Sequence, residues 1–226
     1  MGLGITLCLT AGGRPDLLAD TLTSLLAGNQ QFIDAFAISN DYGDDATSAV
    51  ARSLIPTATI IHHPSPVGHH KTIDELYALV LTPYILHCED DWHFDPVPFL
   101  PQALELLREP REAEASQVLF RQSACVWHTH GVLDTDNPRS FGYSLNPSLL
   151  SREVWARLGP FAHYPSERDL GLAVHEAGLR KRDLVPGVCF HTGAGRHLPN
   201  ARPDDPPSLR HWRRLKRRWN AFRRAL

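Results

Sequence analysis

Nine residues constrain this chain more than any others: Tyr84-Ile85-Leu86-His87-Cys88-Glu89-Asp90-Asp91-Trp92, a short apolar run ending in three acids. Tyr84 to Cys88 has the length and composition of a strand buried in a parallel sheet. The acids follow where that strand leaves the core. In extended chain, residues two apart share a face, so Glu89 and Asp91 are expected to point together and Asp90 the other way. Adjacent carboxylates repel, and a bare cluster would raise its own pKa values and weaken the fold. Two readings are open: a solvated acidic turn, or a seat for magnesium or manganese. Such cations take oxygen ligands from one or two carboxylates together with substrate phosphates. Position favours the second, because open α/β sheets bind ligands beyond the carboxyl ends of their strands.

The flanking sequence supplies such a sheet. Gly4 to Thr10 reads as a buried first strand, Ala11-Gly12-Gly13-Arg14 as a turn, and Pro15 to Ala27 as a helix stopped by Gly28. Phe36 to Ser39 is a second strand ending at Asn40-Asp41, followed by a polar turn at Tyr42-Gly43-Asp44-Asp45. Thr57 to Ile61 is a third, and Pro64 to His70 a loop. Thr72 with Glu75 has the spacing of a capping box opening a helix that ends near Leu81. Alternating strands and helices imply right-handed crossovers and a mostly parallel, Rossmann-like α/β sheet. Beyond Asp91 the pattern loosens. A helix is expected over Val97 to Leu107, a strand over Gln117 to Trp127, a polar loop over His128 to Ser140 and an extended piece over Phe141 to Ser148. Helices follow at Ser151 to Leu158 and Ser166 to Ala177, the latter closed by Gly178. A last strand, Val185 to Phe190, opens into His191-Thr192-Gly193-Ala194-Gly195.

Charge divides the chain at Pro203. From there on, eight Lys or Arg face two Asp, whereas residues 1–202 carry fifteen basic against twenty-three acidic side chains. Two units are therefore expected: a catalytic-sized domain, 1–202, and a basic C-terminal helix, 203–226. Leu209, Trp212, Leu215, Trp219, Phe222 and Leu226 recur every three or four residues, so a helix gathers them on one face. That pattern suits an anionic membrane surface, or an apolar stripe docked on the body; the acidic body argues against nucleic acid. No stretch approaches the roughly 18 unbroken apolar residues of a membrane span. With no secretory signal visible, a cytoplasmic protein is expected, peripheral on the inner face of the membrane if the helix binds there. Cys8, Cys88, Cys125 and Cys189 lack CxxC spacing and sit in apolar runs, as free thiols of a reducing compartment do.

In order and spacing, the stretches ITLCLTAGGRPDLLADTLTSLL, AISNDYGDD, YILHCEDDW, FGYSLNPSLLSREVW, GPFAHYPSERDLGLAVHEAGLR and VCFHTGAG resemble the GT-A glycosyltransferases. The likeness is to the inverting, family 2-like group that uses nucleotide-diphosphate sugars, and it runs from about Ile5 to Arg196. The resemblance implies a GT-A fold, a hexosyltransferase-like activity, a Mn2+ or Mg2+ cofactor, a nucleotide-sugar donor and a sugar or lipid-linked acceptor. Glu89-Asp90-Asp91 stands where such enzymes commonly carry Asp-x-Asp.

Residue by residue, the resemblance places Thr10, Arg14 and Asp41 on the nucleoside, Asp41 being alternatively a turn-forming residue. Asp90 or Glu89 falls on sugar or ribose hydroxyls. Asp91 becomes the main metal ligand, and His191 a second metal or diphosphate ligand backed by a glycine turn able to present N–H groups to phosphate. A carboxylate must take the acceptor proton. Glu167 falls nearer that position than Asp169, whose spacing from Ser166 gives it a capping task. Trp127, Tyr143 and Asn146 are acceptor-pocket candidates, the two aromatics equally suited to core packing. His62-His63, His69-His70 and His128-Thr129-His130 are read as surface loop histidines. Two other readings stay open: a sugar-nucleotide binding protein without catalysis, and a nucleotidyltransferase of similar sheet, which Ala11-Gly12-Gly13-Arg14 echoes only faintly.

Overall fold

The computed structural model describes residues 2–122, 143–194 and 196. The first half alternates β1 (Ile5–Ala11), α1 (Pro15–Asn29), β2 (Ala35–Asn40), α2 (Asp45–Leu54), β3 (Thr59–His62), α3 (His69–Ala78) and β4 (Tyr84–Glu89). The second half runs β5 (Trp92–Phe94), α4 (Leu100–Arg108), β6 (Ala115–Leu119), β7 (Ser148–Ser151), α5 (Arg152–Leu158), α6 (Glu167–Glu176), β8 (Arg180–Asp183) and β9 (Cys189–His191).

Seven strands form one sheet in the order β3-β2-β1-β4-β7-β6-β8. The first four are mutually parallel, β7 runs against both its neighbours, and β8 is parallel to β6. The mostly parallel sheet expected from the sequence is therefore present. All seven residues of β1 are buried, as befits a central strand covered on both faces. Strand alternation divides the core in two. Leu7, Leu9, Leu86 and Cys88 pack with α1 and α4 on one face. Cys8 and Ile85 pack with Ile73, Tyr77, Val154 and Leu170 of α3, α5 and α6 on the other.

Several local expectations are corrected. Gly28 does not stop α1 but lies inside it, because the helix crosses the 97–99 segment there; a β-carbon would sit 2.6 Å from the Val97 carbonyl oxygen. Thr72 caps nothing: α3 begins three residues earlier after Gly68, and Thr72 is buried within it. His69 and His70 are thus in the first turn of a helix, while His62 ends β3 with its Nδ1 3.0 Å from Ser48 Oγ. The Asp44-Asp45 turn opens a helix, α2, capped by the Asp44 carboxylate on the Thr47 N–H at 2.7 Å. α4 starts at Leu100 instead of Val97, and the last strand is shortened to β9. β8 was not foreseen because its sequence is Arg-Lys-Arg-Asp; Arg182 is buried by donating to the carbonyls of Leu106, Glu109 and Ala113. Cys8 and Cys88 are free and buried as expected, and Cys189 is buried too. Cys125, Trp127, the 128–140 loop and segment 203–226 lie outside the described residues. Among those described, no helix is long and apolar enough to cross a membrane.

Candidate active site

β1 lies between β2 and β4, so successive connections leave it in opposite directions and open a crevice at the carboxyl ends of β1 and β4. Thr10 and Glu89 face each other there in register. The loop after β1 supplies Arg14, which stands just before Pro15 at the start of α1.

Asp90 and Asp91 meet on Arg14. One edge of the guanidinium lies on Asp90, through Nη2 to Oδ1 and Nε to Oδ2 at 3.4 Å, while Nη1 donates to Asp91 Oδ2 at 2.8 Å. Asp90 also accepts the Gly12 N–H at 2.9 Å and is 1% exposed. Burial alone would lower the Arg14 guanidinium, yet Asp90 and Asp91 hold it above its ordinary value. Asp90 is buried beneath this cation, whereas the charge of Asp91 bears on Glu89 more than that of Asp90 does. Extended geometry ends at Glu89, and the turn at Asp90–Asp91 swings both aspartates onto one cation.

His191 reaches this cluster through a second, two-stranded sheet. β5 pairs antiparallel with β9, Trp92 opposite His191, and the indole and imidazole rings lie 5.3 Å apart, edge to face. Thr192 N–H donates to the Asp91 carbonyl at 2.8 Å, and His191 Nε2 stands 3.1 Å from Asp91 Oδ2. A β-carbon on Gly193 would fall 2.2 Å from the same Oδ2, so a glycine there leaves the carboxylate room. Arg196 closes the loop on α1 through both oxygens of Asp16, at 2.6 and 2.9 Å.

Glu89 faces the α3 side. Its Oε2 accepts the Trp92 indole N–H at 3.2 Å, and Oε1 lies 3.8 Å from His69 Nε2. Burial, then repulsion from Asp91, pushes the Glu89 carboxyl up to about 8. Burial, then the neighbouring His70, pushes His69 down to about 4. His69 was missed as a site residue; only its position one residue past Gly68 in a helix facing β4 identifies it. Asp41 spends its carboxylate on the backbone N–H groups of Val67 (2.8 Å) and Gly68 (3.3 Å), which ties the start of α3 to the end of β2.

Glu167 opens α6 and is exposed. Its Oε1 accepts the Leu145 N–H at 3.1 Å, and its charge adds to the upward push on Glu89. Asp169 is engaged with Ser166, whose hydroxyl donates to Oδ2 at 2.5 Å and accepts the Asp169 N–H at 3.3 Å. Tyr143 is 5% exposed with its ring 5.2 Å from Phe161, and the Asn146 amide turns back onto Ser144 Oγ.

Among the described residues no group of three or more His, Cys, Asp or Glu could by itself hold a metal ion. The donor set is instead a pair. A hard carboxylate oxygen and an imidazole nitrogen converge at 3.1 Å under a glycine, which suits manganese or magnesium provided diphosphate and water complete the shell.

No protein-family model matches the chain. No curated protein matches it. Solved structures do. It is similar to mannosyltransferase PcManGT from Pyrobaculum calidifontis in complex with GDP-Man and Mn2+, at 13% identity and TM-score 0.65, over 87% of this chain and 59% of that one. It is also similar to residues 1–349 of S. aureus TarS, at 12% identity and TM-score 0.57, over 85% and 61%. The same TarS fragment in complex with UDP matches at 12% identity and TM-score 0.56, over 84% and 60%. This chain spans about 60% of the length of those relatives. At these identities the likeness is one of fold: the protein has the mostly parallel α/β fold of these glycosyltransferases.

Proposed function

We propose that the protein is a metal-dependent glycosyltransferase that moves a sugar from a nucleotide-diphosphate donor to an acceptor hydroxyl with inversion. The observation that carries this reading is the convergence of Asp91 and His191 beside Arg14 at the crevice between β1 and β4. The similarity to structures that hold GDP-Man with Mn2+ and UDP supports it.

In this reading, Asp91 and His191 hold a divalent cation. When bound, that cation neutralises charge developing on the leaving diphosphate. Arg14 already spans Asp90 and Asp91, so its guanidinium stands where a second positive charge can meet phosphate oxygens. The Glu89 carboxyl, between the Trp92 indole and His69, is placed to hold a sugar or ribose hydroxyl. Thr10 at the end of β1 and the Asp41–Val67–Gly68 junction wall the nucleoside side. Glu167 takes the acceptor hydroxyl proton as the oxygen attacks the anomeric carbon from the face opposite the diphosphate. Such a base contributes on the order of 10²–10⁴-fold. Asp169, occupied by Ser166, is left to shape the start of α6.

A thermal-shift screen of nucleotide sugars, with and without manganese, tests the reading. A donor at 100 times its Kd should add about 2.7 kcal/mol of stability, and only when manganese is present. Stabilisation by nucleoside triphosphates alone would favour a nucleotidyltransferase instead.

A further inference from the structure

The cations of β8 are treated unequally. Arg180 donates to the carbonyls of His175 and Leu179 at 3.2 and 2.8 Å, and Arg182 to those of Leu106 in α4 and of Glu109 and Ala113 after it. Lys181 between them is half-buried and makes no ion pair among the described residues. It stands opposite Gln117 on the parallel strand β6. The Gln117 amide donates to Ser144 and Ser148, which fixes its face as that of α6; Phe120 packs into the opposite core. Alternation from Gln117 through Leu119 brings Arg121 to the α6 face as well. Arg121 is held by a bridge to Cys189, and its Nε is buried without a hydrogen-bond partner among the described residues.

Two cations of neighbouring strands thus share one face with the Leu145–Glu167 hydrogen bond. Burial, then the charge of Arg121, lowers the Lys181 ammonium, while Asp183 and Glu167 raise it. Like charges placed together and partly desolvated are unfavourable until an anion joins them, and a guanidinium edge matches phosphate or carboxylate geometry. The β8 arginines show that this fold can satisfy a guanidinium with carbonyls. At Arg121 Nε it does not.

We propose that Arg121 and Lys181 form an anion subsite beside Glu167, and that the acceptor docks a phosphate or carboxylate there while presenting its hydroxyl to that base. The acceptor role rests on the transferase reading; the anion site itself does not.

Binding to the full chain tests it with glucose 6-phosphate against uncharged methyl glucoside, and with phosphatidic acid vesicles against phosphatidylcholine vesicles. Glucose 6-phosphate should bind and the glucoside should not. Lys181→Gln and Arg121→Gln, checked for wild-type melting, should each weaken the anionic probe by about tenfold or more, whereas Lys181→Arg retains it. If the loss appears only with phosphatidic acid vesicles, the docked group is a lipid headgroup; if it appears with glucose 6-phosphate, the group is soluble. Manganese-dependent UDP or GDP affinity, read in the same variants, should not move. A wild type that binds no nucleoside diphosphate would remove the transferase reading, yet a charge-dependent loss of glucose 6-phosphate would still support the subsite. Anionic probes that bind no better than their neutral counterparts, or equally to all variants, would overturn it.

Discussion

The Asp91 carboxylate and the His191 imidazole meet at 3.1 Å although one hundred residues of chain separate them. The contact is built by the β5–β9 pair, which sets Trp92 opposite His191 just beyond the acidic turn. Asp90, next in sequence to Asp91, is instead nearly fully buried under Arg14 and Gly12. Two adjacent acids therefore do different work, one in holding the loop after β1 and one in facing the crevice.

That division is measurable. Asp90→Ala removes two of the three carboxylate contacts of Arg14, leaving it only Asp91, and strands the Gly12 N–H, at a cost of about 2–3 kcal/mol. Asp91→Ala leaves Arg14 on Asp90 and should cost about 1 kcal/mol. Urea denaturation of the two variants checks the order, and equal losses would contradict it.

Glu167→Gln should keep donor affinity and lose turnover by about 10²-fold or more, because it removes a proton acceptor while preserving shape. Asp169→Asn should lower stability slightly through the Ser166 cap and leave most of the turnover. Steady-state rates with both variants decide; a dead Asp169→Asn beside an active Glu167→Gln reverses the assignment.

Gly28→Ala would be nearly neutral or stabilising in a solvent-facing helix. Here the new β-carbon meets the Val97 backbone at 2.6 Å, so the helix must shift, at a cost of about 1–3 kcal/mol. A lowered Tm checks this, and an unchanged or raised one refutes the close approach.

Acid should destabilise the protein through His87. Burial, then His69, pushes this ring down to about 3 from an ordinary value of 6.5. Between those values the unfolded chain binds a proton that the fold refuses. The stability His87 contributes is therefore complete above pH 6.5 and falls as pH drops toward 3, by up to about 1.4 kcal/mol per unit. His69, pushed down to about 4, acts in the same direction. His87→Leu should flatten this limb in denaturation curves taken from pH 7 to 4; an unchanged slope would place the acid sensitivity elsewhere.

How much of this was legible in the sequence depended on whether period or position carried the signal. β1 and β4 were readable because strands buried on both faces are continuous apolar runs. Ser166 and Asp169 were readable as a cap because capping is local. β8 was not, since its burial is satisfied by carbonyls of the segment after α4, a long-range partner that leaves no apolar pattern. The contact of both aspartates with Arg14 was not legible, because a turn follows Glu89 and its partner comes from the loop after β1. His69 was hidden by Gly68, which starts a helix where a loop was expected.

The most direct test follows the products from a nucleotide sugar incubated with manganese and an acceptor mixture, for the wild type and Asp91→Ala. The account predicts free nucleoside diphosphate without pyrophosphate from the wild type, and a rate at least about a hundredfold lower from Asp91→Ala. Release of pyrophosphate, or an Asp91→Ala protein that turns over at the wild-type rate, would contradict it.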